Sequence, residues 1–142
     1  PVFRYMSPEN PDKVEAYILP LYGNGLWDKI WGFVAVDSDL ETIKGVSFAH
    51  KGETPGLGAR IADSDIQSRF AGKKIYDESG ELVSVEIAKG EHGGGQSSID
   101  YYANDPHTVD GMSGATITGN GVNEMLANYL QYYQSYFNKI ES

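Results

Sequence analysis

The segment Asp110-Gly111-Met112-Ser113-Gly114-Ala115-Thr116, followed by Ile117-Thr118, sets an acid, small residues and three hydroxyls where a loop gives way to a helical pattern. The first N–H groups of a helix have no intrahelical acceptor and carry a partial positive charge, so such a junction can hold a phosphate. One hydroxyl is enough to cap a helix, and Ser113, Thr116 and Thr118 exceed that need. On spacing alone a capped helix with an acidic lead-in is the commoner arrangement. The competing reading is a phosphate cradle, in which Gly114 and Ala115 let backbone N–H groups approach and the hydroxyls add donors. It is not a Walker loop, because no Gly-Lys-Ser/Thr follows, and no strand–GxGxxG–helix arrangement is present. No Lys or Arg occurs between Lys89 and Lys139. A freely dissociating phosphate would therefore lack charge-assisted donors here, whereas a covalently held one would not need them.

Other chemistry fits less well. A nucleophile elbow at Ser113 needs glycine where Ala115 stands and a strand before it; His107 and Asp110 are close only in sequence. The second glycine-rich stretch, Glu53-Thr54-Pro55-Gly56-Leu57-Gly58, reads as a Pro-Gly turn between elements. Leu57 between two glycines also leaves backbone free to lie flat against a planar ligand. His50, His92 and His107 lack metal-type spacing and the acidic residues form no EF-hand loop, so no metal site is expected. Tyr129, Tyr132, Tyr133 and Tyr136 suit helix packing, with Tyr132 off the main stripe.

The elements that must position these residues are those of a single domain, 1–142. A net charge of −9 argues against nucleic acid and anionic lipid as partners. The absence of cysteine excludes disulfides, thiolate metal sites and cysteine nucleophiles, and leans toward an extracytoplasmic setting. No apolar run approaches the roughly 20 residues that span a bilayer, and no signal peptide opens the chain. Val14–Leu21 reads as a strand closed by Pro20, Tyr22–Gly25 as a turn, and Trp27–Val36 with Thr42–His50 as a hairpin. Ser64–Phe70 reads as a short helix capped by Ser64, Leu82–Ala88 as a strand, and Gly90–Asp105 as a long surface loop. From Thr118 on, Val122, Met125, Leu126, Tyr129, Leu130, Tyr133, Phe137 and Ile140 mark one face of an amphipathic helix. Gly119 and Gly121 place its regular part near Asn120. The expected fold is α+β: a largely antiparallel twisted sheet, flanking helices and a long C-terminal helix.

DGMSGAT resembles the flavinylation signature D-x-x-[S/T]-G-A-T, and ILPLYGNGLWDKIWGFVAV, KGETPGLGARI and VDGMSGATITGNGV together resemble the NqrC subunits of sodium-translocating NADH:quinone reductases. The resemblance runs from about Ile18 to the C-terminal helix and leaves Glu91–Pro106 unmatched. The signature is shared with RnfG subunits and other FMN-binding domains, while GNGLW and GETPGLG point to NqrC. The resemblance implies FMN joined through its phosphate to Thr116, with Asp110, Ser113, Gly114 and Ala115 in the other specified places. It implies a redox subunit, a one-electron relay among the subunits of a membrane complex, with no complete catalytic activity in the isolated domain. It also implies a flavin transferase of the ApbE type with FAD as donor, and a soluble domain facing the periplasm from a bacterial inner membrane. The N-terminal membrane helix of that family is absent from this chain, which is then expected to be a fragment following it. On this reading the loop from Glu53 to Gly58 covers part of the flavin, with Leu57 in contact and Thr54 and backbone N–H groups donating to ring oxygens. Ser113 supports the attachment and Thr118 caps the helix. The alternatives are an RnfG-type subunit of the ferredoxin:NAD oxidoreductase complex and a non-redox extracytoplasmic binding module.

Overall fold

A computed structural model describes residues 1–141. Strands β1 (Phe3–Met6), β2 (Val14–Asn24), β3 (Lys29–Asp37) and β4 (Ile43–His50) form an antiparallel sheet in sequence order. Alternation decides its faces: Tyr17, Leu19 and Leu21 of β2 and Ile30, Val34 and Val36 of β3 are buried on one side. The opposite face is left open, with Phe3, Tyr22 and Phe33 about half exposed. The hairpin of β3 and β4 is as expected, but the sheet begins one strand earlier and β2 runs through Asn24. The reversal is therefore Gly25–Asp28, closed by Gly25 N–H donating to the Asp28 carbonyl at 2.9 Å, and not Tyr22–Gly25. Pro20 does not end β2, because β1 stops opposite Ile18 and leaves Pro20 where the strand has become an edge.

Helix α1 (Ser64–Gln67) is a single turn between 3₁₀ segments at Gly58–Ala62 and Ser68–Phe70. Ser64 is not its cap: Asp63 precedes the turn and no side chain caps it. The expected strand Leu82–Ala88 shrinks to β5 (Glu86–Ile87), paired in parallel with β6 (Thr108–Val109). Ser84 breaks it, with φ at 63°. The region Gly90–Asp105 is not all loop, for it contains α2 (Gly95–Tyr101), whose Ser98 is buried.

Helix α3 (Thr116–Glu141) crosses the buried face of the sheet and buries Val122, Met125, Leu126, Leu130, Tyr133 and Phe137. It starts before its two glycines, not after them. Gly121 serves close packing, since a Cβ there would strike the Asn24 carbonyl; a Cβ on Gly119 would meet Ile87 Cγ2 at an ordinary contact of 3.4 Å. Gly23 answers from the sheet, where a Cβ would come within 3.0 Å of Met125 Cβ. Gly121 and Gly23 thus lock the first turns of α3 against the end of β2. Gly121→Ala tests this, since propensity alone predicts a gain of about 1 kcal/mol. Overpacking typically costs about 1–3 kcal/mol, so urea denaturation should show a net loss of stability.

Candidate functional site

The site is built where three pieces of backbone converge at the start of α3. Thr116 opens the helix and is half-buried; Ser113 and Gly114 are exposed and Ala115 is buried. Gly114 has φ at 72°, a left-handed value that glycine takes without strain, and a Cβ there would come within 3.1 Å of Leu57 Cδ2. A Cβ on Gly58 would run into the hydroxyl of Thr118. The two glycines let the loop from Glu53 to Gly58 lie directly on the helix start.

Between them is a cleft of about 310 Å³. The loop contributes Thr54, Leu57 and Gly58, the helix start Gly114 to Thr118, and the hairpin tip Leu26 and Trp27. Its mouth is apolar and open: Trp27 is 69% exposed, Ile117 58%, Leu26 45% and Leu57 41%. None of the lining residues is charged. Of the residues expected from sequence, the cleft gathers Thr54, Leu57, Gly58, Gly114, Ala115, Thr116 and Thr118. Glu53, Pro55, Gly56, Asp110 and Ser113 do not line it. Leu26 and Trp27 join the site only through the fold, and Ile117 through its place beside Thr116. Trp27 and Leu26 beside a turn glycine carried a signal, since large apolar side chains at a hairpin tip have no core to enter.

Glu53 sits behind the wall, 4% exposed. Its Oε1 accepts from Leu26 N–H at 2.8 Å and from the Thr118 hydroxyl at 2.7 Å, and its Oε2 accepts from Trp27 N–H at 2.9 Å. Burial by itself would raise its pKa; the bonds from Thr118, Trp27 and Leu26 outweigh this and hold it below the ordinary carboxylate value. Thr118 is therefore not a helix cap. It lies in the first turn and donates its hydroxyl hydrogen bond to Glu53.

Asp110 is also buried, at 1% exposure, and anchors the loop from the other side. Its carboxylate accepts from the His92 N–H at 2.6 Å, the Ser98 hydroxyl at 2.5 Å and Gly111 N–H at 3.0 Å, and pairs with His92 Nδ1 at 2.9 Å. His107 instead faces the Lys74 carbonyl at 2.7 Å, so it does not join Asp110 in a triad with Ser113. Beneath this loop lies the cation that the local sequence lacks. Buried Arg69 donates to the carbonyls of Asp110 (3.2 Å) and Gly111 (3.0 Å) and pairs with Glu91 at 2.8 Å. Arg60 grips both oxygens of the same Glu91, at 2.8 and 2.7 Å. A larger depression of about 480 Å³ adjoins Asp110, between α2 and Ser68–Lys74. Its Lys73 already donates to the carbonyls of Tyr102 and Asp105, at 2.8 and 2.6 Å, and is a poor anion site.

This donor set fits a phosphate-bearing planar group of one kind. Helix N–H groups and a threonine hydroxyl can carry a phosphate, glycines keep the floor low, and apolar side chains flank a ring. No charged residue lines the cleft.

These features are those of a flavin-phosphate domain, and sequence comparison places the chain there: it belongs to the FMN-binding domain family, which matches residues 25–131. The NqrC protein of Yersinia pestis, from its Na(+)-translocating NADH-quinone reductase, is 40% identical over 118 residues, covering 83% of this chain and 41% of that protein. The crystal structure of the corresponding Na(+)-translocating NADH-quinone reductase protein from Parabacteroides distasonis is 46% identical, with a TM-score of 0.69 over 83% of this chain and 54% of the other. Shewanella oneidensis NqrC is 34% identical with a TM-score of 0.80, over 99% and 60% respectively. The chain thus spans less than two thirds of the length of each of these relatives.

The hydrogen bonds from Arg60, with those from Arg69, overcome burial and lower the pKa of Glu91 from 4.5 to about 2. A depressed acid stabilises the fold fully above its unfolded pKa, and that contribution is lost as pH falls toward its folded value. Wild-type stability should therefore decline between pH 4.5 and about 2. Glu91→Gln should be less stable at pH 6 and lose less across that window, as measured by denaturation at each pH.

Proposed function

We propose that this chain is the FMN-carrying domain, 1–142, of an NqrC-type subunit, with the flavin joined through its phosphate to Thr116. The observation that carries this is the placement of the Thr116 hydroxyl at a helix N-terminus in a cleft that no charged residue lines. In the attachment step the Thr116 oxygen attacks the flavin-side phosphorus of FAD. One O–P bond forms, the diphosphate P–O bond breaks, AMP departs, and the hydroxyl proton passes to a base of an ApbE-type transferase. Once bound, FMN supplies one-electron redox chemistry, and the protein supplies its position and surroundings. The free N–H groups of the first turn of α3 stabilise the remaining phosphate charge. Ser113, beside the attachment point, supports the phosphate, and Asp110 holds the loop that carries both. Thr54 donates to the ring, while Leu57 and Trp27 keep water from its faces.

The named relatives support a place in a sodium-translocating NADH:quinone reductase, where the domain relays electrons between neighbouring subunits. In that setting it faces the periplasm from the inner membrane, held by a membrane helix outside the matched region. No helix among the described residues is long and apolar enough to cross a membrane.

Coexpression with an ApbE-type transferase should add the mass of one FMN less one water, read by intact mass spectrometry. Thr116→Ala should abolish the adduct and Ser113→Ala should retain it. An unmodified wild-type chain, under conditions that modify a known NqrC, sinks the proposal; an adduct on Thr116→Ala moves the attachment elsewhere.

A further inference from the structure

Glu53 is the only acid whose hydrogen-bond partners in the structure come from both the hairpin tip and α3, among the described residues. Leu26, Trp27 and Thr118, which donate to its carboxylate, all line the cleft, and so does its neighbour Thr54. The carboxylate itself does not. It lies one hydrogen bond behind the wall at three separate points, with no ion pair to a cation among the described residues. Gly25 is shaped around it, since a Cβ there would strike Glu53 Oε1. The His50 ring fixes the start of the loop by accepting the Glu53 N–H at Nδ1, at 3.2 Å.

We propose that Glu53 is a positioning residue, a carboxylate clamp that fastens the Leu26–Trp27 rim to the first turn of α3 and so sets how far a bound flavin is shielded from solvent. The inference rests on the reading of Thr116 as the flavin-bearing residue. An ionised carboxylate suits the task better than an amide. It accepts at both oxygens, whereas glutamine would turn an NH₂ toward a backbone N–H or toward the hydroxyl. Bonds to a charged acceptor are also worth more than neutral ones. Gly121 holds the Asn24–Gly25 backbone against α3, but the Leu26–Trp27 rim beyond it carries two large apolar side chains in water and is tied to the helix through Glu53.

Two measurements separate the clamp from the flavin reading. In the chain without flavin, hydrogen exchange by NMR should find the Leu26 and Trp27 amides protected, and Glu53→Gln should speed their exchange about tenfold or more. In the flavinylated protein, Glu53→Gln should keep the covalent adduct while iodide quenches the flavin fluorescence several-fold more efficiently. Thr118→Val, which removes one tie and leaves the rest, should give a smaller increase, and Thr118→Ser should restore the wild-type value. This pair decides the matter if Glu53→Gln fails to fold. Unprotected amides in the wild type, or wild-type quenching in Thr118→Val and in any folded Glu53→Gln, overturn the clamp. A wild-type chain that takes no flavin overturns the Thr116 reading and leaves the exchange result standing.

Discussion

The close contact between the start of α3 and the end of β2 is the constraint on which the site depends. Gly121 lies against the Asn24 carbonyl and Gly23 lies under Met125, so neither surface can move away without opening the core. Because β2 turns back at Gly25–Asp28, that contact also fixes the distance between the hairpin tip and Thr116. A helix of 26 residues would have many ways to lie on a four-stranded sheet. Gly121, Gly23 and Gly58 admit one in which the first turn of α3 meets the loop from Glu53 to Gly58. The cost in helix propensity of two early glycines, about 1 kcal/mol each, is offset by burial of the stripe from Val122 to Phe137.

The electrostatics of the site follow a division between what lines the cleft and what stands behind it. Two buried carboxylates, Glu53 and Asp110, flank the helix start and are satisfied mainly by N–H and O–H donors. The cations, Arg60 and Arg69, lie on the far side of the Asp110–Gly111 backbone and are engaged with Glu91. Arg69 touches the loop only through carbonyl oxygens, which orients those peptides and leaves their positive charge away from the cleft. The cleft therefore offers a phosphate dipoles and hydroxyls in place of counter-charge.

Much of this was legible in the residues, for identifiable reasons. The strands β2 to β4 and the helix α3 carry long, regular periodicities, and tertiary packing agreed with them. The errors fell where local signals compete with long-range contacts. Gly121 looks like a helix weakener until the Asn24 carbonyl is in view, and Thr118 looks like a cap until Glu53, 65 residues away, accepts its hydroxyl hydrogen bond. The alternation of Leu82–Ala88 promised a strand, but Ser84 in a left-handed conformation broke it. Triple glycine at Gly93 to Gly95 promised a loop, yet α2 starts there because Ser98 is drawn in by Asp110. In the site, the loop and helix residues were readable as motifs. The rim was not, because nothing in the sequence brings Leu26 and Trp27 to Thr116 except the fold.

The open mouth of the cleft gives a physical reason for a covalent link. A site that retains a flavin by burial must close over most of it, and small-molecule pockets commonly bury more than about 70% of their ligand. Here the residues best placed to cover a ring, Trp27 and Ile117, are themselves more than half exposed, at 69% and 58%. Openness of this kind suits electron exchange with another protein, since a partner must come close to the ring, but it weakens non-covalent retention. Counter-charge, the usual remedy, is absent from the lining. On the proposed reading, a bond at Thr116 would separate the two demands: the linkage would keep the cofactor, and the Leu26–Trp27 rim would be left to shape its exposure.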